Sequence, residues 1–349
     1  MTRLERIRGC LLGGAVGDAL GAPVEFLAWA AIEAHFGPRG ITDFVPAYGK
    51  LGAITDDTQM MLFTAEGLLR AYVRGASRGI CHPPSVVHHA LLRWLLTQDE
   101  RPATYVSRNG WLIERQELWA RRAPGATCLQ ALKASTAFGD QALNDSKGCG
   151  GVMRVAPCAF FDSPFQTAAE SARVTHGHPT GYLAAGLFAD ILARLARQDS
   201  LMHAISESLA EHGADSGMRE TREAIERVLV FVREGQQPTP ARIDAFGGGW
   251  VAEEALAIGL WCALCADSFE QGVTTAVNHS GDSDSTGLIA GHLLGIQWGA
   301  ATIPARWYAR LELHDAIEKI ASDIERVPRI FTGYGGPDDE RISQDYPGG

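Results

Sequence analysis

The sequence predicts an all-α fold, and three observations carry that prediction. Apolar residues recur at helical spacing in one stretch after another. Alternating strand patterns are nearly absent, "ITDFV" being the one short candidate. Finally, Pro/Gly-rich breaks at "FGPRG", "CHPPS", "RRAPGAT", "QQPTPA" and "FGGGW" separate the helical runs, and none is long enough to be a linker.

The first run, "GCLLGGAVGDALG", has glycines at 9, 13, 17 and 21, and "GLIAGHLLGIQWG" has them at 287, 291, 295 and 299. A spacing of four places each set along one side of a helix, where missing side chains let another backbone approach. Each glycine costs a helix about 1 kcal/mol relative to alanine, so two retained ladders predict two central, closely packed helices, each a candidate partner for the other. A membrane reading of the first ladder fails because the same run carries Arg3, Glu5, Arg6, Arg8 and Asp18. Asp18 is expected to anchor this first helix by hydrogen bonds. Further helices are read from "LFADILARLARQ", from "REAIERVLVFVREG" through Ala224, Ile225, Val228, Leu229 and Val232, and from "AIEKIASDIERV". From about Val327 the periodicity fades. The expected organisation is one domain over 1–326 and an irregular tail over 327–349.

With 349 residues, 46% of them hydrophobic, the chain can bury a large core. Its net charge of −10 disfavours a general affinity for nucleic acid or anionic membrane, so a phosphate-bearing ligand must be met by a local feature. The seven cysteines are scattered and odd in number, which fits reduced thiols in a cytoplasm. Cys262 and Cys265 form a CxxC inside an apolar helical run, where buried thiols are the simpler reading than a redox or zinc site. No signal-peptide pattern opens the chain, and no apolar run reaches the roughly 20 residues a bilayer requires. The expectation is a cytoplasmic globular protein.

Two acidic knots stand apart: "TDDT" at 55–58 and "GDSDSTG" at 281–287, each directly before an apolar helical run. Asp, Ser and Thr are ordinary N-cap residues. Capping explains one residue per helix, and leaves unexplained the adjacent Asp56 and Asp57, or Asp282 together with Asp284. Four carboxylates with the Thr55 and Ser285 hydroxyls make an all-oxygen set suited to Mg²⁺, Mn²⁺ or Ca²⁺. An EF-hand is excluded, because Leu293 stands where its bidentate glutamate would be. Separate caps remain the alternative to a joint metal site.

Seven stretches in order then carry a resemblance: "GCLLGGAVGDALGAPVEF", "AITDDTQMMLFTAEGLL", "RRAPGATCLQAL", "SKGCGGVMRVAP", "THGHPTGYLAAGL", "GGWVAEEALAIGLW" and "NHSGDSDSTGLIAG". The chain resembles the ADP-ribosylglycohydrolase family, which includes ADP-ribosylarginine hydrolases and the dinitrogenase-reductase-activating glycohydrolase. The resemblance spans residues 7 to about 300. It implies an all-helical fold with two Mg²⁺ or Mn²⁺ ions, held by Thr55, Asp56 and Asp57 on one side and Asp282, Asp284 and Ser285 on the other. Many members have threonine in place of Ser285, so the hydroxyl is kept.

The same resemblance implies an ADP-ribose pocket lined by the loop of Lys147, Gly148, Cys149, Gly150, Gly151 and Met153, with Cys149 where many members have asparagine. Glycine-rich turns present backbone N–H groups to phosphate, and Lys147 and Arg154 add positive charge. His176 is expected near ribose or phosphate, Gly249 and Trp250 near the adenosine end, and Glu25 by the scissile ribose. On residue chemistry alone His176 and Trp250 serve equally well as structural groups. The implied activity is metal-dependent hydrolysis of the N-glycosidic bond of ADP-ribosylated arginine on a protein, with Asp56, Asp57 and Glu25 as acid/base candidates and ADP-ribose as product. Another ADP-ribose conjugate (ADP-ribosylserine, O-acetyl-ADP-ribose) and a non-catalytic ADP-ribose-binding protein are the alternatives.

Overall fold

The helical periodicity becomes sixteen α-helices among residues 1–348, which the computed structural model describes. Against them stand two antiparallel strands of two residues each, Pro46–Ala47 and Lys50–Leu51. The expected strand at 41–45 does not form. Its backbone is satisfied by a side chain instead: Asn278 Oδ1 accepts from Ile41 N–H (2.8 Å) and Asn278 Nδ2 donates to Ile41 O (2.9 Å). Ile41 and Phe44 are thereby buried in an irregular segment.

The two glycine ladders meet. The Arg3–Gly21 helix and the Ser283–Trp298 helix run antiparallel and make the most extensive helix–helix contact of the fold. A Cβ on Gly13 would lie 2.3 Å from Gly291 O, one on Gly17 2.0 Å from Gly287 O, and one on Gly9 2.1 Å from Gly295 O. Only hydrogen fits at those points. Gly299 differs from the rest of its set: it ends the helix with φ +83°, in a conformation that L side chains rarely adopt. Around this pair the other helices close a continuous core, and every residue from Gly9 to Gly21 is buried.

The C-terminal segment corrects the expectation of an irregular tail. The His314–Ile330 helix continues past residue 326 and through Pro328, and a further helix forms over Pro337–Asp345. The anchors of this region are sparse, which is why periodicity fades there. Ile342 and Tyr346 are buried, with the Tyr346 hydroxyl donating to Asp323 Oδ2 (2.6 Å). Asp339 accepts from Thr332 N–H and Gly335 N–H, closing the turn before the helix. Gly349 lies outside the described residues.

All seven cysteines are unpaired, and Cys262 is buried in a core cluster with Trp261. Among the described residues no helix is long and apolar enough to cross a membrane.

Candidate functional site

Both acidic knots open helices, and the fold brings the two openings together. Thr55 is the N-cap of the Asp56–Arg78 helix, its hydroxyl accepting from Asp57 N–H (3.2 Å). A second cap comes from a distance. Asp18 accepts from Thr55 N–H (3.0 Å), Thr58 N–H (3.1 Å) and the Thr58 hydroxyl (2.5 Å). Asp18 therefore anchors the start of a neighbouring helix, where the sequence suggested its own. The glycine ladder ends at the same place, since a Cβ on Gly21 would lie 2.4 Å from Ser283 O and 2.5 Å from Asp284 Cα. One helix thus sets the position of both acidic knots.

The result is a cavity of ≈ 620 Å³, a volume suited to a small-molecule ligand. Glu25, Asp56, Asp57, Asp282, Asp284 and Ser285 line one wall, and Gly148, Cys149, Gly150, Met153, His176 and Trp250 another. Glu25, Asp282 and Asp284 each bring a carboxylate oxygen within 4.8 Å of the others. Ser285 Oγ donates to Asp57 Oδ2 (2.7 Å), tying the second knot to the first. The Cys149 thiol donates to Asp282 Oδ2 at 2.8 Å.

The electrostatics are lopsided. The five wall carboxylates are all buried, and among the described residues none has an ion-pair partner. Burial first, then repulsion from Asp284 and its neighbours, pushes Glu25 up to about 10, and the same two causes push Asp18 to about 7. Asp56, Asp57 and Asp282 also rise well above the usual carboxylate range, burial again leading and Asp284 next. Glu25 Oε2 is buried with no hydrogen-bond partner at all. Such a wall of oxygen donors lacks positive charge and fits hard divalent cations.

Several expected residues sit behind the wall. Thr55 is fully buried and does not line the cavity; its hydroxyl accepts from Asp57 N–H and also hydrogen-bonds to Asp284, from the second knot. Gly151 and Gly249 also lie outside the lining, Gly249 with φ +77° in the turn that leads to Trp250. Lys147 turns away: its ammonium bonds Glu220 Oε2 (3.0 Å) and Glu253 Oε1. The sequence held no sign of that pairing, because Glu220 lies on a remote helix. The loop's amide cradle is partly used as well, since Gly148 N–H donates to Ser146 Oγ (3.3 Å) and Cys149 N–H to Trp250 O (3.1 Å).

Other lining residues escaped the sequence reading. The segment Ala123–Cys128 forms part of the wall, with Gly125 N–H donating to Asp56 Oδ2 (3.3 Å). Its motif was visible, but its small side chains announce no chemistry. Phe26 lies beside Trp250, ring centroids 5.9 Å apart and nearly parallel, and both are exposed at the cavity.

The sequence profile of the ADP-ribosylglycohydrolase family matches residues 1–333. The chain belongs to that family. Its multi-helical single domain matches a solved structure titled "ADP-ribosylglycohydrolase-related protein complex" with a TM-score of 0.68 and 28% identity, over 93% of this chain and 98% of that one. Similar family members include ADP-ribosyl-[dinitrogen reductase] glycohydrolase of Rhodospirillum rubrum, 26% identical over 96% of this chain and 98% of that protein. ADP-ribosylarginine hydrolase Tri1 of Pseudomonas putida is 27% identical over 94% of this chain and 80% of the relative. Membership in the ADP-ribosylglycohydrolase family supports a hydrolase of glycosidase type acting on ADP-ribose conjugates.

Proposed function

We propose that this chain is a metal-dependent hydrolase that removes ADP-ribose from arginine side chains of protein, with Thr55, Asp56, Asp57, Asp282, Asp284 and Ser285 forming the metal centre. The observation that carries the reading is the wall of buried carboxylates that, among the described residues, no basic side chain pairs with, joined across the chain by the Ser285–Asp57 hydrogen bond. Two Mg²⁺ or Mn²⁺ ions, when bound, supply Lewis acidity toward the ribose hydroxyls and the attacking water. Asp57 and Asp284 face the centre directly. Thr55 would add its hydroxyl from the cap of the same helix.

The chain's own groups then divide the work. Asp56 or Asp57 accepts a proton from the water whose oxygen attacks C1″. The C1″–N bond breaks and its electron pair goes to the guanidine nitrogen. That nitrogen takes up a proton, for which the Glu25 carboxyl at the cavity wall is the candidate donor, and arginine leaves as the guanidinium. The Gly148–Gly151 loop, Met153 and His176 hold the ADP-ribose moiety. The paired rings of Phe26 and Trp250 offer a flat apolar face at the opening, suited to an adenine ring or to the departing guanidinium.

Arginine is favoured over other linkages by charge. The acid-rich wall attracts a cationic leaving group, while serine or acetate leaving groups offer no positive charge to attract. Relatives named for dinitrogen reductase and for ADP-ribosylarginine support the same choice. The test incubates the Mg²⁺- or Mn²⁺-loaded protein with matched arginine- and serine-ADP-ribosylated peptides. Release of ADP-ribose from arginine alone is expected. Release from serine with arginine untouched would overturn the specificity and leave the hydrolase standing, while no release from either points to a binding protein.

A further inference from the structure

Glu66 is fully buried and stands between two guanidinium groups. Its Oε1 accepts from Arg70 Nη2 (2.8 Å), and its Oε2 accepts from Arg93 Nε (3.2 Å) and Nη2 (2.8 Å). Both arginines are buried with it, Arg93 completely. Arginine stays charged in proteins, so one carboxylate faces two cations and the cluster keeps an excess positive charge. Two donors are left over: Arg70 Nε and Arg93 Nη1 are buried with no partner. The excess acts on its surroundings. Burial, and then the charges of Arg93 and Arg70, lowers the neighbouring His89 to about 4. A buried charge without a counter-charge is strongly disfavoured.

This charge borders a second cavity. Arg70 lines a hollow of ≈ 640 Å³ together with Arg74, His82, Ser85, His89 and Phe138, and the hollow shares no lining residue with the acid-walled one. Although the chain carries a net charge of −10, no Asp or Glu is among the described residues that line it. The remaining contacts of Arg70 are neutral: Nη1 donates to Asn109 Oδ1 (2.8 Å) and Nη2 to Asn109 O. Arg74, one turn further along the Asp56–Arg78 helix, donates to Gly348 O (3.1 Å), and among the described residues no carboxylate pairs with it. His82 is already engaged, its Nε2 lying 2.9 Å from Glu170 Oε2. Phe138 is 46% exposed and stacks on His89, ring centroids 4.2 Å apart and 20° from parallel. The cavity therefore combines two guanidinium groups with one flat apolar face.

We propose that this cavity is a second ligand site, which takes a small molecule bearing a phosphate or carboxylate group on a planar ring. The oxyanion sits against Arg70 and Arg74 and supplies the counter-charge that the Glu66 cluster lacks. Guanidinium groups suit this task, because their planar donors match the oxygens of phosphate and carboxylate. The ring lies on the exposed face of Phe138, as aromatic pairs prefer. The volume is in the range of small-molecule sites. Glu66 and Arg93 act from behind the wall by setting the charge; Arg70, Arg74 and Phe138 touch the ligand. The site is separate from the proposed reaction and stands or falls without it.

The test titrates Mg²⁺-loaded protein, saturated with ADP-ribose to occupy the acid-walled cavity, with phenyl phosphate, benzoate, inorganic phosphate and phenol. Phenyl phosphate or benzoate should bind and shift the His89 ring signals in NMR, and the tighter of the two identifies the anion. Inorganic phosphate should bind about fivefold more weakly than phenyl phosphate, for want of the ring, and phenol should not bind. Arg74→Gln should weaken the ring anions about fivefold to tenfold, the range of one charge-assisted hydrogen bond at a half-buried site. Arg74→Lys should retain most of the affinity. Phe138→Ala should erase the advantage of phenyl phosphate over inorganic phosphate. Arg74 is half-buried and Phe138 exposed, so these variants are expected to fold. Absence of binding by both ring anions, binding that leaves the His89 signals unmoved, or phenol bound as tightly as phenyl phosphate overturns the proposal. Unchanged affinity in Arg74→Gln does the same.

Discussion

The Ser285 hydroxyl donates to Asp57 Oδ2 at 2.7 Å, joining two residues 228 positions apart at the point where two helices begin. Among the described residues no basic side chain pairs with Asp57, and its neighbours Asp284, Asp56, Asp18 and Asp282 all repel it. Asp57→Asn or Asp284→Asn should lower metal affinity and turnover by about a hundredfold or more, while the metal-free fold is retained or gains stability from reduced repulsion. Ser285→Ala should be milder, about tenfold, because water replaces a neutral ligand. Calorimetric titration with Mn²⁺ beside steady-state turnover checks both, and full activity in the two asparagine variants would sink the metal assignment.

Chelation should uncover a pH dependence of stability. In the metal-free chain Asp18 and Glu25 have folded pKa values raised to about 7 and about 10, so folding takes up protons. Their contribution is fully present below the unfolded values near 4 and is lost as pH rises through the folded ones. The melting temperature of chelator-treated protein should therefore fall between pH 5 and pH 9. Saturating Mg²⁺ or Mn²⁺ should reverse the loss, by about 2.7 kcal/mol at a hundredfold excess over Kd. A metal-independent melting curve across this range would contradict the centre.

Two helical glycines, Gly291 inside a ladder and Gly75 in the Asp56–Arg78 helix, give opposite predictions for a change to alanine. At Gly291 a Cβ would sit 2.0 Å from Gly13 O, backbone that cannot yield without parting the helices. Gly291→Ala should destabilise by about 3 kcal/mol or more and also cut metal affinity, since the Ser283–Trp298 helix carries the second knot. At Gly75 the nearest atom is Cys81 Cβ, 3.7 Å away. Gly75→Ala should stabilise by about 0.5–1 kcal/mol. Urea unfolding of the pair tests the packing independently of activity.

Lys147 offers a test by indifference. Its ammonium is held by Glu220 and Glu253 outside the cavity lining. Lys147→Met should change KM for the ADP-ribosylated substrate by less than about threefold. A tenfold rise would mean that the lysine swings onto the diphosphate when ligand binds.

What the sequence made legible and what it hid divide along physical lines. The ladders and the paired acids were readable because each breaks a local rule: repeated glycine in a helix, or more acids than a cap needs. Asp18 looked like a residue of its own helix because a cap supplied from 37 residues away leaves no spacing signature. The helix at Pro337–Asp345 was invisible for a related reason: its buried side is little more than Asp339 and Ile342, with Tyr346 just beyond, too few for a period to show.

The backbone contact between the two glycine ladders has a consequence for how this site can vary. Helices meeting through side chains slide by fractions of a turn as residues are exchanged. Here carbonyls fill the gaps left by glycine, so a slip must advance by one glycine spacing, four residues or about 6 Å, before the contacts repeat. A displacement of that size would carry Asp284 out of reach of Asp57. The spacing between the two acid pairs is thus inherited as a single indivisible unit, and new substrates must be won in the loops around it.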